Sequence, residues 1–336
     1  MDQSRNWRMA TELISVGFTQ TDWVASHNWT TVSEFILMGL PHAPEMGTLL
    51  FLLFLVIYLI TIMGNSLVLV AIWVDPLLHK PMYFFLSNLS FLDFWFSTVT
   101  LPKMLQGFLE PHGTVISFMG CLVQLYFSQL LGSTECFLYT IMSYDRYLAI
   151  CHPLHYSSIM DRMMTVRLAI VTWVMGFFHS LLHTSLTFHL TYCGPWKIDH
   201  FFCDPTPLLE IACTNTSINE AMIFFSIGVV ALVCLLLILL SYGSILRVIL
   251  KLGNAERRYN AFSTCASHFT AVACFYIPCV ITYMRPHSKS TLDRIVSIFY
   301  TILTPLLNPL IYTLRNKEMK AALHRLRHRA KCAPGK

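Results

Sequence analysis

The chain has 336 residues, 55% hydrophobic and 12% charged, with a formal net charge of +5 and a mean hydropathy of +0.57. Water-soluble domains carry about a quarter charged residues, so this composition excludes an ordinary soluble domain and indicates a membrane protein.

The first 45 residues contain no basic n-region followed by a compact apolar stretch, so the tail is expected to stay on the mature chain rather than leave as a signal peptide. Asn28-Trp29-Thr30 within it is a glycosylation sequon. The segment before it, with Trp7 and Trp23, suggests no function. From Met46 to Val74 there is no Asp, Glu, Lys or Arg, a run longer than the roughly 20 residues a helix needs to cross the hydrocarbon layer. Further apolar segments follow at 82–102, 118–144, 168–190, 221–246, 261–284 and 295–314. These read as helices, because strands would need period-two alternation and barrel closure. The expected organisation is an extracellular tail over 1–45, a helix bundle over 46–314, and a basic amphipathic segment over 315–336, with Lys317–Arg329 lying along the inner membrane surface.

Orientation follows from the basic residues. Lys80, Arg146, Arg162, Arg167, Arg247, Lys251, Arg257, Arg258 and the eight Lys/Arg from Arg315 onward fall on one side, sixteen in all, against seven on the other. The positive-inside rule then puts the N-terminus outside and the C-terminus in the cytosol. The net positive charge is a topological signal, and no nucleic-acid partner is expected. Asn215-Thr216-Ser217 becomes a second outer-side sequon, whereas Asn88-Leu89-Ser90 falls inside a span.

Eleven cysteines divide by this topology. Cys136, Cys234, Cys265, Cys274 and Cys279 lie in spans and pack as small hydrophobes. Cys151 and Cys332 face the reducing cytosol, which leaves Cys121, Cys193, Cys203 and Cys213 outside, where disulfides form. Four cysteines allow three pairings. His200, Cys203 and Asp204 also read as possible metal ligands, although a disulfide would consume the thiol. No His-Glu-x-x-His pair, nucleophile elbow or phosphate loop is present, so neither an enzyme nor a cofactor is expected.

One segment closes a span with an adjacent acid and base: Met142-Ser143-Tyr144-Asp145-Arg146-Tyr147-Leu148-Ala149-Ile150-Cys151. Charges at a membrane boundary are costly unless they serve a function. Gly64-Asn65, Leu78-His79-Lys80-Pro81-Met82-Tyr83, Ser241-Tyr242, Ala261-Phe262-Ser263-Thr264-Cys265-Ala266-Ser267-His268 and Pro305-Leu306-Leu307-Asn308-Pro309-Leu310-Ile311-Tyr312 follow in order on other spans. Together with the loop from Cys193 to Cys213, these motifs resemble the olfactory receptors of the rhodopsin-like G-protein-coupled receptor family over residues 28–325. Asn260, where that family usually has Lys, and Ile277-Pro278, where Gly is usual, depart from the pattern.

The resemblance implies an all-α seven-transmembrane bundle with a short amphipathic eighth helix. It implies disulfides Cys121–Cys203 and Cys193–Cys213, with Cys121–Cys213 equally compatible with spacing. It implies that Asp145, Arg146, Tyr147, Tyr242, His268, Asn308, Pro309 and Tyr312 form the G-protein switch, with Arg146 paired to Asp145 at rest. Asn65, Asp93, Glu135 and Asn308 are polar at membrane depth, so they should face one another, as a packing network or as a cluster that rearranges and admits a cation. The ligand pocket is expected from Ser128, Gln129, Gly132, Ser133, Ser226, Tyr276, Cys279, Val280, Tyr283 and Thr301. Ser128 stands where amine receptors carry an aspartate. Such a pocket suits a small, mostly hydrophobic volatile molecule. An olfactory-type stimulatory G protein, raised cyclic AMP and the cilia of sensory neurons complete the implied picture, with chemosensing outside the nose or membrane transport as alternatives.

Overall fold

The computed structural model describes residues 32–110, 112–251, 253–284 and 291–332. The sequon Asn28 lies outside them. Glu34–Lys336 forms one unit. Its long helices are α1 (Gly47–Val74), α2 (Pro81–Leu109), α3 (Phe118–Cys151), α4 (Arg162–Phe188), α5 (Ser217–Leu250), α6 (Ala255–Tyr283), α7 (291–315) and α8 (Lys317–Cys332). Among the described residues, five helical segments are long and apolar enough to cross a membrane: Pro44–Val74, Pro81–Leu109, Arg162–Phe188, Ser217–Leu250 and Arg294–Thr313. The helices α3 and α6 fall short of that composition. In α3 the cause is plain, because Gln124, Ser128, Gln129, Thr134, Glu135, Ser143 and Asp145 are all buried along it. A helix surrounded by other helices can carry polar groups that would be costly against lipid.

That position is visible in the packing, since α3 touches α2, α4 and α5. The closest approach is to α4 at Gly176, where a Cβ would overlap Thr134 Oγ1 and stand 3.1 Å from the Leu130 carbonyl oxygen. Glycine ordinarily weakens a helix interior, and the close contact accounts for its presence here. Gly176→Ala is expected to destabilise the bundle by about 1–3 kcal/mol through overpacking. The measurement is thermal unfolding of the purified protein, and an unchanged midpoint would contradict this contact. A second close approach joins α1 to α7: a Cβ on Gly64 would lie 3.2 Å from the Pro309 ring, and beside it Asn65 Nδ2 donates to the Pro305 carbonyl at 3.0 Å.

Two helices contain π turns, Phe224–Val229 in α5 and Phe299–Leu303 in α7. Each inserts a residue relative to α-helical spacing and rotates the side chains that follow, a distortion often found at functional sites.

An all-α reading misses a small sheet. Glu34–Leu37 (β1), four residues of the expected tail, pairs antiparallel with Thr114–Ser117 (β2) and parallel with Lys197–Ile198 (β3). Runs this short carry little strand signal, and β1 exists because Phe35 and Leu37 bury one face while its backbone pairs with two loops. At the same end, Cys121 pairs with Cys203 and Cys193 with Cys213, with Cα–Cα distances of 5.6 and 5.8 Å that suit disulfides.

At the opposite end α8 begins at Asn316, whose Oδ1 accepts from the Glu318 and Met319 amides and caps the helix. Met319, Ala322, Leu323 and Leu326, at i, i+3, i+4 and i+7, pack against the bundle, while Lys320, Arg327 and His328 are exposed. Two ion pairs fasten α8 to the turn between α1 and α2: Arg325 to Asp75 at 2.5 Å and Lys80 to Glu318 at 2.7 Å. The Lys80 ammonium, together with the Tyr83 hydroxyl, holds the Glu318 carboxyl below its ordinary range.

Candidate functional site

Three polar features run through the bundle. Nearest the disulfides is a partly open cavity of about 660 Å³, the space at its mouth included. Ser128, Gln129, Gly132 and Ser133 line it from α3, His179 from α4, Ser226 and Ile227 from α5, Cys279 and Tyr283 from α6, and Tyr300 from α7. Phe202 and Asp204, beside the disulfide-bonded Cys203, also line it.

Three residues expected in the pocket lie elsewhere. The cavity-lining positions on α6 are Phe275, Cys279 and Tyr283, a stripe at i, i+4 and i+8. Tyr276 and Val280 are each one residue, about 100° of helix, off that stripe. Tyr276 is fully buried, with its hydroxyl donating to the Cys136 carbonyl at 2.5 Å, and Val280 packs in the core. On α7 Tyr300 lines the cavity and Thr301, beside it in the same π turn, does not; the Thr301 hydroxyl donates to the Ser297 carbonyl at 2.6 Å.

Conversely, His179 and Asp204 line the cavity without having been expected there. The available signal for His179 was its spacing from His183: two imidazoles at i, i+4 in an apolar span imply a shared buried face. His179 Nδ1 lies 2.9 Å from Ser133 Oγ, His183 Nε2 lies 2.5 Å from Ser226 Oγ, and the rings are 4.5 Å apart. Asp204 caps the short helix Pro205–Glu210 by accepting from the Thr206 amide, and it accepts from the Tyr283 hydroxyl at 2.7 Å. Burial pushes the Asp204 carboxyl up to about 6, against the opposing effect of those donors. His200 sits nearby in the loop, its Nε2 3.2 Å from Ser297 Oγ, and burial and the Arg294 charge hold its imidazole down at about 3. The disulfide consumes Cys203, and no group of three or more His, Cys, Asp or Glu that could hold a metal ion occurs among the described residues.

The second feature is a buried cluster in the middle of the bundle. Asn308 Nδ2 donates to Asp93 Oδ2 at 2.9 Å and to the Tyr139 hydroxyl at 2.8 Å. Glu135 lies within electrostatic reach of Asp93. Asp93 Oδ1, Glu135 Oε1 and Asn65 Oδ1 are buried without a hydrogen-bond partner among the described residues. The structure thus brings Asp93, Glu135 and Asn308 together, while Asn65 is engaged with Thr61 and Pro305.

The third feature surrounds Arg146 at the far end. Tyr242 and His268 are hydrogen-bonded at 2.6 Å, and the His268 ring lies 6.4 Å from that of Tyr312. Tyr83, Tyr242, His268 and Tyr312, from α2, α5, α6 and α7, all lie within electrostatic reach of Arg146. Its Nε, His268 Nε2 and the Tyr312 hydroxyl are buried without hydrogen-bond partners among the described residues. Tyr147 packs in one cluster with Tyr242, and its hydroxyl lies 3.1 Å from His152 Nε2.

The expected Asp145–Arg146 pair is not formed here; no ion pair joins the two residues among the described ones. Instead, Asp145 Oδ1 accepts from the Tyr156 hydroxyl at 2.8 Å. Neighbouring helix residues project about 100° apart, so the acid faces the following turn while the base faces the bundle. Burial and the adjacent Asp145 hold the Tyr156 phenol above its ordinary range.

A helical bundle with a partly open, mostly apolar cavity at one end and an unsatisfied arginine cluster at the other defines a membrane receptor for small molecules. The family model described as "Olfactory receptor" matches residues 54–329. Human olfactory receptor 10G4 is 56% identical over 300 residues, covering 89% of this chain and 96% of that protein. Human olfactory receptor 10G9 is 56% identical over 304 residues, 90% of this chain and 98% of its own. Mouse olfactory receptor 10D3 is 50% identical over 301 residues, 90% and 96% of the two chains. The chain belongs to the olfactory receptor family; it is a multi-pass membrane receptor and not an enzyme.

Proposed function

We propose that the protein binds a small, mostly hydrophobic odorant in the cavity between α3, α4, α5, α6 and α7 and answers by activating a stimulatory G protein, which raises cyclic AMP in sensory-neuron cilia. Seven spans carry the chain, with the N-terminus and the disulfides outside and α8 on the cytosolic surface. The observation that carries this reading is the pairing of an apolar cavity with an arginine cluster through shared helices: α3, α5, α6 and α7 contribute to both.

A ligand shifts the bundle only by its differential affinity for two arrangements. Contacts at Cys279, Tyr283 and Tyr300 bear on α6 and α7, the helices that carry His268 and Tyr312 at the other end. An arrangement that moves those helices from Arg146 opens room for a G-protein segment, whose polar groups would meet the unsatisfied donors. Pro309, which lacks an N–H, leaves α7 deformable between the cavity and Tyr312. In the middle, two neighbouring carboxylates at membrane depth cannot both remain charged without compensation. A shared proton or a cation between Asp93 and Glu135 would supply it, and a change there on activation would couple the two ends.

The test is a cyclic AMP screen over volatile compounds in cells displaying the receptor. Concentration-dependent responses absent from cells without it are expected. Uptake of the compounds without any cyclic AMP change would favour transport instead.

A further inference from the structure

The serine hydroxyls and Asp204 offer acceptors to the cavity, while Gln129 offers an amide donor as well as an acceptor. The Ser128 hydroxyl donates to the Leu125 carbonyl at 3.0 Å, Ser226 donates to the Met222 carbonyl at 2.5 Å, and Ser133 donates to the Gln129 carbonyl. With these hydrogens directed to their own helices, the three oxygens turn lone pairs outward, an arrangement that matches the tautomers in which His179 Nδ1 donates to Ser133 and His183 Nε2 to Ser226. The Tyr283 proton is directed to Asp204.

Asp204 is the one carboxylate lining the cavity, and it is only 3% exposed. The Tyr283 hydroxyl and the Thr206 amide donate to it, the Thr206 hydroxyl lies beside it, and all three groups are neutral. Among the described residues no lysine or arginine forms an ion pair with it; the nearby Arg294 is bound to Asp199 at 2.8 Å. A carboxylate has about four acceptor sites, and burying it without full hydrogen bonding or a counter-charge is costly. Asp204 borders the cavity as well.

We propose that the cavity selects ligands that carry a hydrogen-bond donor, a hydroxyl or an ammonium group, with Asp204 as the receiving carboxylate and Phe96, Phe137, Val230 and Phe275 against the ligand's apolar body. This rests on the cavity's being the odorant site. Ketones, esters and ethers, which only accept, meet lone pairs with lone pairs at Asp204 and at the serines. A site built to receive an O–H or N–H rejects analogues lacking one far more strongly than a methylene difference would. The position of Asp204 outside α3 also supplies an acid that Ser128 does not.

The experiment pairs volatile alcohols and phenols with their methyl ethers, and amines with the matching nitriles, and reads cyclic AMP at equal surface expression. The donor-bearing member is expected to be at least about tenfold more potent. Asp204→Asn keeps the helix cap and an acceptor for Tyr283 but removes the charge and adds a donor, so the gap should shrink to less than about threefold. Ethers and nitriles as potent as their partners on the native receptor, or an undiminished gap in Asp204→Asn, would overturn the assignment while leaving the odorant reading intact. A panel silent throughout, with receptor at the surface, would defeat the odorant reading and the selectivity with it. If Asp204→Asn does not reach the surface, the native gap and Tyr283→Phe decide: that variant keeps the carboxylate and should keep the preference, and losing it would count against Asp204.

Discussion

Arg146→Ala is expected to leave the receptor folded and at the cell surface while cutting ligand-driven cyclic AMP at least about tenfold, a coupling loss of about 1.4 kcal/mol or more. The expectation rests on the state of the guanidinium. Its Nε is buried without a partner, and the adjacent acid is engaged with Tyr156. An unsatisfied buried donor costs about 1–3 kcal/mol, so removing it should not weaken the fold. A group that the structure keeps at a cost, facing Tyr242, His268 and Tyr312, is kept for what it does with a partner. The measurement is the cyclic AMP response at matched surface labelling, with thermal unfolding as the check on stability. An undiminished response would remove Arg146 from the mechanism, and a large drop in the unfolding midpoint would make it a packing residue.

Cys121→Ser is expected to cost about 2–5 kcal/mol and to remove most receptor from the surface. The bond it breaks closes a loop of 82 residues, ties the start of α3 to the loop carrying Asp204, and is fully buried at both cysteines. Cys193→Ser opens a loop of only 20 residues. The chain-entropy difference between the two is about 1.2 kcal/mol, so the first variant should be the more damaging. Gln124 keeps part of the attachment, its Oε1 accepting from the Cys203 amide at 2.9 Å, so the residual receptor should retain a weakened ligand response. Equal surface levels and equal midpoints for the two variants would show that loop length does not govern the loss.

Much of the bundle was legible without coordinates because burying a backbone in lipid leaves helices as the simple solution, and a charge-free run such as Met46–Val74 records that requirement directly. The grouping of Asp93, Glu135 and Asn308 was legible for the same reason, since polar side chains at membrane depth must find one another. The cavity wall was harder to read. Helical spacing selects Tyr276 and Val280 on α6, and Thr301 is the expectation on α7, whereas the cavity is lined by Phe275 and by Tyr300 of the π turn at Phe299–Leu303. On α6 a one-residue offset is invisible in composition, because Phe275 and Tyr276, like Cys279 and Val280, are apolar or aromatic and either would satisfy burial.

The sequence by itself determined that the chain is a helical membrane receptor of the olfactory family, because hydrophobic length, basic asymmetry and ordered local motifs are all properties of contiguous segments. Only the tertiary structure decided which side chains meet. It directed Asp145 to Tyr156 rather than Arg146, placed Asp204 from a loop and His179 from α4 on the cavity, and assembled β1 with two distant loops. These outcomes depend on helix rotation and on contacts between residues far apart in the chain. Local periodicity does not encode the phase of one helix against the next.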